Sequence, residues 1–449
     1  MCFLKKQSLL LTALLMAAAI TIGIPEAKAK DVTLPGATTN GENKNILVTY
    51  ALNATDKIAR VKKVVDNNFN QKKSCVIPSK IKVDDVTYTV SKIGAGAFAS
   101  ANNKGEWTDN KLSFTKIVLP NTIVEIGDEA FCYMLCVEEC VIPSKVQTIG
   151  KYAFYQNRLT SATIPATCTS VGEGAFASNP IETLSFAEGT SPLTLGNSAF
   201  SNNDIKTLVT PKRLAQWGYS CFFRQNKLTE VTINGSVNSI PDNCFQECGN
   251  LTKVTVNAPI ASINSEAFFN CYALSDFRIN SVNTLRSIGY YAFQNCAFTS
   301  LGPELLPYGL NTIGESAFHS CSKIQSVEFP ITLMKLVNNA FTNCKNISKI
   351  KCNTLAVPDT EDPTFDRSIY RTCDVEVFES LAPKFMTAPV WENFDWTKYA
   401  SVDDIEVADD KTLPAEYYTT YGTRIDSGCL TPGIYIERRG TQTRKIAIK

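Results

Sequence analysis

One short motif recurs along most of the 449 residues and constrains the fold more than any other feature: a small residue followed by phenylalanine. From Phe131 onward the marker phenylalanines are 22–25 residues apart, and the first interval is longer because of an insertion at residues 102–111. A fixed period of this length is typical of a solenoid, in which each repeat forms one coil. The markers are Phe98, Phe131, Phe154, Phe176, Phe200, Phe222, Phe245, Phe268, Phe293, Phe318 and Phe341, with a degenerate copy at Phe365.

The residues around each marker predict the shape of one coil. An Ile-Gly pair precedes most markers, as at Ile313-Gly314, and an alternating run closed by proline follows many of them, as at Thr163-Ile164-Pro165. The alternation has the period of a strand, so we expect Ile164 to point inward and Thr163 outward. Proline then ends the strand. The glycine is expected to permit either close backbone approach or a positive φ.

The segments outside the repeats indicate the domain organisation. We predict a signal peptide at 1–29, an N-terminal β cap at 30–90, a solenoid of about eleven β-containing coils at 91–372 and a C-terminal cap at 373–400. An acidic linker at 401–416 and a small β module at 417–449 complete the chain. Within the N-terminal cap we expect strands at 46–52, 58–65, 74–77 and 86–90.

The first 29 residues have the three parts of a secretory signal peptide. Lys5 and Lys6 precede an apolar run at 9–24, and Ala27 and Ala29 supply the small residues of a cleavage site. We therefore expect cleavage between Ala29 and Lys30, which changes the formal charge from +1 to −1. The alternative is a membrane anchor, but the run falls short of the roughly 18 apolar residues that a span needs. The mature chain is predicted to be exported and to have no transmembrane span.

Composition excludes several classes of function. The 44 basic and 43 acidic residues leave no positive excess for binding a nucleic acid. The chain has one histidine, His319, which we expect to be exposed and uninvolved, so sites that need paired imidazoles are excluded. No nucleophile elbow, phosphate loop or dinucleotide fingerprint occurs in the sequence. We predict that the chain is not an enzyme and has no cofactor.

Five cysteines stand three residues after their markers and are predicted to form a structural column: Cys248, Cys271, Cys296, Cys321 and Cys344. Their separations equal the repeat period, so they are expected to stack as small buried side chains. Earlier coils carry asparagine at this position, and these amides are expected to satisfy backbone groups. Disulfides between neighbouring coils are the alternative, which export would permit, but side chains of one column point in parallel. Cys132, Cys136 and Cys140 spread over a turn and a strand, so we predict no metal site there.

The outward positions of the predicted strands form a candidate binding face. Solenoids present such extended surfaces to their ligands, and the alternating charge of the later coils favours a protein partner over a polyanion. The alternative is a solvated face without a ligand. The residues are Ser161, Thr163, Thr183, Ser185, Glu230, Thr232, Lys253, Thr255, Asp276, Arg278, Ser326, Glu328, Lys349 and Lys351.

The repeat, over residues 88–370, resembles the BspA-like leucine-rich-repeat surface proteins common in Bacteroidetes. The resemblance rests on Ala130-Phe131, Ala153-Phe154, Ala267-Phe268, Ala317-Phe318 and their flanks. It implies a location on the cell surface and adhesion to host or neighbouring-cell proteins. A purely structural surface or periplasmic scaffold is the alternative.

A glycan ligand is a further alternative for the surface. The predicted strand stripe has no aromatic residue to stack on a sugar, so any aromatic platform would have to lie in another segment of the coil. The residues that supply one there are Tyr152, Tyr155, Tyr290 and Tyr291.

The final residues, 417–449, also resemble the C-terminal sorting modules of the type IX secretion route. The resemblance rests on Gly433-Ile434-Tyr435-Ile436 and on a basic last strand. The turn that should carry the family's Leu-Gln-Gly reads Thr420-Tyr421-Gly422 here, which departs from the pattern. The resemblance implies passage across the outer membrane and surface attachment, and a plain C-terminal hairpin is the alternative.

Overall fold

The structure is a computed structural model that describes residues 30–38, 41–67, 73–102, 104–106, 112–281, 283–399, 415–419, 424–426, 428, 433–439 and 442–448. The predicted signal peptide and nearly all of the acidic linker lie outside the described residues. The chain divides into two compact units, Met1–Leu159 and Thr160–Lys449, called unit 1 and unit 2. Each is described by itself.

The described residues of unit 1 form ten strands. They are β1 Lys30–Thr38, β2 Gly41–Asn53, β3 Ile58–Asp66, β4 Lys73–Val76, β5 Lys80–Val83, β6 Val86–Ile93, β7 Phe114–Val118, β8 Glu125–Ile126, β9 Glu139–Cys140 and β10 Thr148–Ile149. The strands pair in the order β10-β8-β6-β3-β2-β1-β4-β7-β9, with β5 paired to β6. The long antiparallel strands β1 to β3 therefore connect the two parallel strand rows of the repeats and close the end of this sheet.

The predicted N-terminal β cap is present, but it has two strands that the sequence did not indicate. β1 contains Pro35 and Gly36, residues that disfavour strands, yet all nine of its residues pair antiparallel with β2. β5 is a short strand that forms a hairpin with β6 through Val83 and Val86. Both were missed because pairing with a neighbouring strand, rather than local propensity, forms them.

The repeats of unit 2 form parallel strand rows. The strands are β11 Ser161–Ile164, β12 Ser170–Val171, β13 Thr183–Phe186, β14 Leu193–Leu195, β15 Thr207–Val209, β16 Leu214–Trp217, β17 Glu230–Ile233, β18 Ser239–Ile240, β19 Lys253–Val256, β20 Ser262–Ile263, β21 Asp276–Ile279, β22 Ser287–Ile288, β23 Ser300–Leu301, β24 Thr312–Ile313, β25 Ser326–Phe329, β26 Lys335–Leu336, β27 Lys349–Cys352, β28 Asp359–Thr360 and β29 Asp374–Val377. One row contains the two-residue strands in the order β18-β20-β22-β24-β26-β28. The other row contains the longer strands that follow each marker phenylalanine. The solenoid predicted from the period is confirmed.

After β29 the chain forms short helices and then a separate small sheet. The α-helix α1, Ala382–Phe385, lies between the 3₁₀ turns Glu379–Leu381 and Trp391–Asn393, whereas another 3₁₀ turn, Arg367–Ile369, precedes β29. Trp391 is fully buried and contacts the last marker, Phe365, edge to face. The C-terminal β module consists of β30 Ala415–Thr419, β31 Arg424–Ile425, β32 Gly433–Arg439 and β33 Gln442–Ile448, paired antiparallel in the order β31-β30-β32-β33.

The marker phenylalanines form a stacked column within each unit. In unit 2 the rings of Phe245, Phe268 and Phe293 have centroids 5.3 Å apart and lie within 10° of parallel. All three side chains are fully buried. In unit 2 the N–H of each marker from Phe176 to Phe341 also donates to the carbonyl of the residue before the next marker, as Phe268 does to Ala292 at 2.8 Å. One coil therefore supplies both the apolar partner and the backbone acceptor of its neighbour.

Residues in the left-handed region flank the markers. Glu266 and Asn270 flank Phe268 with φ of 54° and 60°, and Tyr291 and Asn295 flank Phe293 with φ of 52° and 63°. These two positions reverse the chain direction on either side of the buried ring. For the glycine of the Ile-Gly pair we expected either a positive φ or close backbone approach, and Gly314 shows the second. A Cβ on Gly314 would lie 2.8 Å from backbone atoms of the preceding coil, so it is close approach that requires glycine there.

Candidate binding face

The outward side chains of the longer strands of unit 2 form one face, which we call the strand face. In β11, Ser161 and Thr163 are exposed, whereas Ala162 and Ile164 are buried. The orientation predicted for Thr163 and Ile164 is therefore confirmed. The same alternation continues along the row, for example in β17, β25 and β27.

Every residue of the predicted binding face lies on this row of strands. Parallel pairing places Glu230 beside Lys253 and Lys253 beside Asp276. On the same strands Thr232 lies beside Thr255 and Thr255 beside Arg278. Paired strands are about 4.8 Å apart, so the side chains form two continuous rows across successive coils.

The strand face consists of three groups of paired strands. These groups are β11-β13, then β15-β17-β19-β21, then β23-β25-β27-β29. Ser161, Thr163, Thr183 and Ser185 share the first group. The four residues Ser326, Glu328, Lys349 and Lys351 share the third group, and the remaining six share the second.

Contacts between coils order the polar side chains of the strand face. The Thr163 and Ser185 hydroxyls are 2.8 Å apart. The Lys351 ammonium lies 2.9 Å from the Glu328 carboxylate, and its hydrogen bond lowers the pKa of Glu328. Lys349 forms an ion pair of 2.8 Å with Glu376 on β29. Exposed pairs of this kind add little stability, but they hold charged groups in a fixed pattern on the surface.

A depression interrupts the strand face between the second and third groups, where β21 and β23 are not paired with each other. We call it the notch. Its volume is about 640 Å³. The strand pattern breaks here because Gly302 and Pro303 follow β23 directly. The residues that line its mouth and walls include Asp276, Arg278, Ser300, Gly302, Glu304 and Glu328.

Sequence reasoning missed several residues of the strand face. Asp374 and Glu376 alternate with Val375 and continue the rows on β29, although their segment had been assigned to the C-terminal cap. Their alternating pattern was a usable signal. Thr207 and Val209 on β15 and Ser300 on β23 also belong to the face, and Val209 is 60% exposed. Glu304 had no signal, because it lies in a turn outside any strand pattern.

The position three residues after the marker carries a buried hydrogen-bond donor in successive coils. In the later coils the Cys248 thiol donates to the carbonyl of Phe222, and the Cys344 thiol donates to that of Phe318. In an earlier coil the Asn203 amide donates to Phe176 at 3.0 Å and to Phe200 at 2.8 Å. The expectation that these amides satisfy backbone groups is confirmed.

The cysteine column of unit 2 consists of buried free thiols. Its members are the predicted Cys248, Cys271, Cys296, Cys321 and Cys344. Burial raises the pKa of Cys248 and of Cys344 to about 12, so both remain protonated at neutral pH. A protonated thiol retains the hydrogen that the backbone carbonyl accepts.

One sequence expectation about polar residues is wrong. His319 is half-buried rather than exposed, because the neighbouring coil packs against it. Its Nδ1 lies 3.0 Å from the Ser320 hydroxyl and its Nε2 lies 3.4 Å from the Asn343 amide. Burial lowers the pKa of His319, which favours the neutral ring.

The cysteine trio that we assigned to a turn and a strand lies in unit 1. Cys132 and Cys140 are buried, whereas Cys136 is partly exposed. In the described ranges no group of three or more histidine, cysteine or acidic residues is arranged to hold a metal ion.

Tyrosines outside the strands form an aromatic cluster in each unit. In unit 1, Tyr155 contacts Tyr133 and Tyr152 at centroid distances of 5.4 and 5.7 Å. In unit 2, the Tyr290 and Tyr291 rings have centroids 3.8 Å apart, and Tyr290 is 40% exposed. The tyrosines that we named as alternative platforms therefore cluster as two separate patches.

Comparison with protein families identifies the class of protein that this fold and face define. The chain matches the BspA type leucine rich repeat region in 6 copies, over residues 108–228, 173–299 and 286–375. Together these matches cover more than half of the chain. The chain belongs to the BspA-type leucine-rich-repeat family, as the resemblance had implied.

Solved structures with similar repeats come from several bacteria. A leucine-rich repeat protein of Bacteroides ovatus is 20% identical, and the match covers 70% of this chain and 97% of that one, with a TM-score of 0.38. A leucine rich cell surface protein of Faecalibacterium prausnitzii is 22% identical over 68% and 93% of the two chains, with a TM-score of 0.37. The pneumococcal vaccine antigen PcpA is 18% identical over 76% and 91%, with a TM-score of 0.44.

Among curated proteins, none matches the chain. Within the part of the chain that the structure describes, no helix has both the length and the apolar character that crossing a membrane requires.

Proposed function

We propose that the mature chain is exported to the cell surface and that its strand face binds an extracellular protein, with adhesion to host or neighbouring-cell proteins as its role. The observation that carries the proposal is the pair of polar rows that run from coil to coil within a strand group of unit 2, such as Glu230-Lys253-Asp276 beside Thr232-Thr255-Arg278. Membership of the BspA-type family supports it. The proposed role is binding without catalysis.

The mechanism would consist of many contacts over a preorganised surface. The side chains of the strand face stand on paired strands whose inward residues, such as Val231 and Val254, are buried. Little conformational entropy is then lost when a partner binds. A few residues near the centre of such a contact carry most of its free energy, and repeated weak contacts add avidity.

The proposed export and attachment are tested by protease shaving of intact cells. The full-length chain is compared with a deletion of residues 417–449, the β module that resembles a sorting signal. We expect the full-length chain to be cleaved from outside and the deletion to be retained inside the cell. Protection of both forms would contradict surface display, and cleavage of both would remove the sorting role from the tail while leaving surface display in place.

The proposed binding is tested with the mature chain and an immobilised panel of purified host matrix proteins. Biolayer interferometry should show saturable binding to at least one of them, while the heat-unfolded chain serves as the control. No saturable binding to any of them would contradict adhesion to the matrix. Self-association of the purified chain without such binding would favour a structural scaffold instead.

A glycan is the second candidate ligand, and the Tyr290–Tyr291 cluster favours it. The hydrogen bond to Tyr291 and desolvation raise the pKa of Tyr290, with smaller contributions from the nearby carboxylates of Glu315 and Glu266. An exposed aromatic ring with polar neighbours suits the apolar and polar faces of a pyranose. Matrix glycans immobilised beside the proteins separate the two candidates, because a glycan ligand predicts binding that Tyr290→Ala abolishes.

A further inference from the structure

The notch is shaped by a turn that replaces the end of a strand. After β23 the N–H groups of Leu305 and Leu306 both donate to the carbonyl of Gly302, at 3.1 and 2.7 Å. The turn makes one backbone contact with β21, from the Ile279 N–H to the Glu304 carbonyl at 2.9 Å. The facing edges of β21 and β23 therefore border an open depression of about 640 Å³, within the size range of protein ligand sites.

Glycine at position 302 keeps the notch open. A Cβ built on Gly302 would meet one group within 4 Å, an Oε2 atom of Glu304 at 3.3 Å. The Glu304 carboxylate thus lies over the place where other coils carry an outward side chain. Because the only neighbour of that Cβ is the end of a flexible side chain, a larger residue at this position would occupy the notch without a clash against the backbone.

The charges around the notch leave one carboxylate without a counterion. Arg278 pairs with Asp276 at 3.0 Å, and Lys351 pairs with Glu328 at 2.9 Å. The third cation that lines the notch, Lys349, pairs with Glu376. Among the residues that the structure describes, Glu304 forms no ion pair, and it is exposed to solvent. The uncompensated charge in the notch is therefore negative.

We propose that the notch binds a basic side chain, lysine or arginine, from a protein segment lying along the strand face. This inference rests on the proposed function and names the side chain that the face selects. The Glu304 carboxylate accepts hydrogen bonds from the cationic group, and such charge-assisted bonds are stronger than neutral ones. Phe277 and Phe298, both buried, are among the residues that line the notch.

The test uses two synthetic pentapeptides that differ in one group. Both have glycine and serine around a central residue, which is arginine in one and citrulline, its neutral isostere, in the other. Saturation-transfer difference NMR on the full mature chain reports which peptide protons contact the protein. We expect transfer to the arginine side chain to exceed that to citrulline by about threefold or more, because the charge is recognised.

Variants of the notch, with a matched control outside the strand face, assign the preference to Glu304. Glu304→Gln should remove the preference for arginine, and Gly302→Leu should remove transfer to both peptides by filling the notch. The matched control is Glu392→Gln, which neutralises an exposed glutamate in the 3₁₀ turn Trp391–Asn393, outside the strand face. It should leave the preference unchanged. Thermal unfolding of each variant verifies that it is folded.

The outcomes separate this inference from the proposed function. Equal transfer to the two peptides in the unmodified chain, or an equal effect of Glu304→Gln and Glu392→Gln, would overturn the notch as a site for basic side chains. Saturable binding of the chain to a matrix protein would stand in either case, since it is measured independently. If matrix binding fails while the arginine preference depends on Glu304, the notch is retained and the wider adhesion role is wrong.

Discussion

Replacing Phe268 with alanine is expected to lower the free energy of unfolding by about 3–5 kcal/mol, the usual cost of truncating a buried phenylalanine. Phe268 is fully buried and stacks on Phe245 and Phe293, each at a centroid distance of 5.3 Å. Phe277 contacts it edge to face at 5.3 Å. The cavity would be enclosed on three sides by aromatic rings, which cannot collapse into it without breaking the column. Urea unfolding followed by circular dichroism measures the change.

The matched control for Phe268 is Tyr272, an aromatic residue of the same coil that is 60% exposed. Tyr272→Ala should change the free energy of unfolding by less than about 0.5 kcal/mol. Phe268→Leu should fall between the two, because leucine fills part of the volume. A loss for Phe268→Ala no larger than that for Tyr272→Ala would show that the phenylalanine column does not hold the coils together.

Replacing Asn203 with alanine is expected to cost about 2–3 kcal/mol, because several buried backbone groups lose their partner. The Asn203 amide donates to the carbonyls of Phe176, Phe200 and Ser201, and its oxygen accepts from the N–H of Ile181 at 3.2 Å. Its side chain is 1% exposed, so water does not replace these bonds. The same urea titration measures the loss.

Two substitutions check that the hydrogen bonds of Asn203 are responsible. Asn203→Cys places there the residue that later coils use as donor to the equivalent carbonyl, and it should recover part of the lost stability. Thr207→Ala, at an exposed position on β15 of the same coil, should cost less than about 0.5 kcal/mol. Equal losses for the alanine and cysteine variants would show that volume, not hydrogen bonding, determines the cost.

The solenoid could be predicted from the repeat because successive coils bury the same kinds of residue at the same positions. The spacing of the phenylalanines and the alternation in Thr163-Ile164 predicted the coil, the strand face and the buried column. The structure has all three. The five column cysteines were placed from spacing alone. Their role as backbone donors was visible in part, because asparagine occupies the same position in earlier coils.

What the sequence did not reveal depends on contacts between segments that no local pattern encodes. Strand β1 exists because it pairs with β2 over nine aligned positions, despite Pro35 and Gly36. The two positions of positive φ that flank a marker are occupied by many residue types, including Glu266 and Tyr291. No recurring glycine therefore indicated them in the sequence. The notch arises where Gly302 interrupts the alternation, and an interrupted pattern indicates an irregularity without indicating its shape.

The strand face is the central claim, and a charge swap tests it most directly. Glu230→Lys combined with Lys253→Glu exchanges two neighbouring charges on paired strands without changing the net charge. The control exchanges the ion pair Arg224–Glu247, 2.6 Å apart and away from the longer strands in the same two coils, as Arg224→Glu with Glu247→Arg. Both double variants should fold alike, because all four residues lie outside the buried core.

The measurement is the dissociation constant of each double variant for the immobilised matrix protein to which the unmodified chain binds, determined by interferometry. The account predicts that the swap of Glu230 and Lys253 weakens binding about tenfold or more, since misplaced charges across an interface oppose association. The swap of Arg224 and Glu247 should stay within about twofold of the unmodified chain. Equal affinities for the two double variants, or a larger loss for the control, would contradict the strand face as the binding surface.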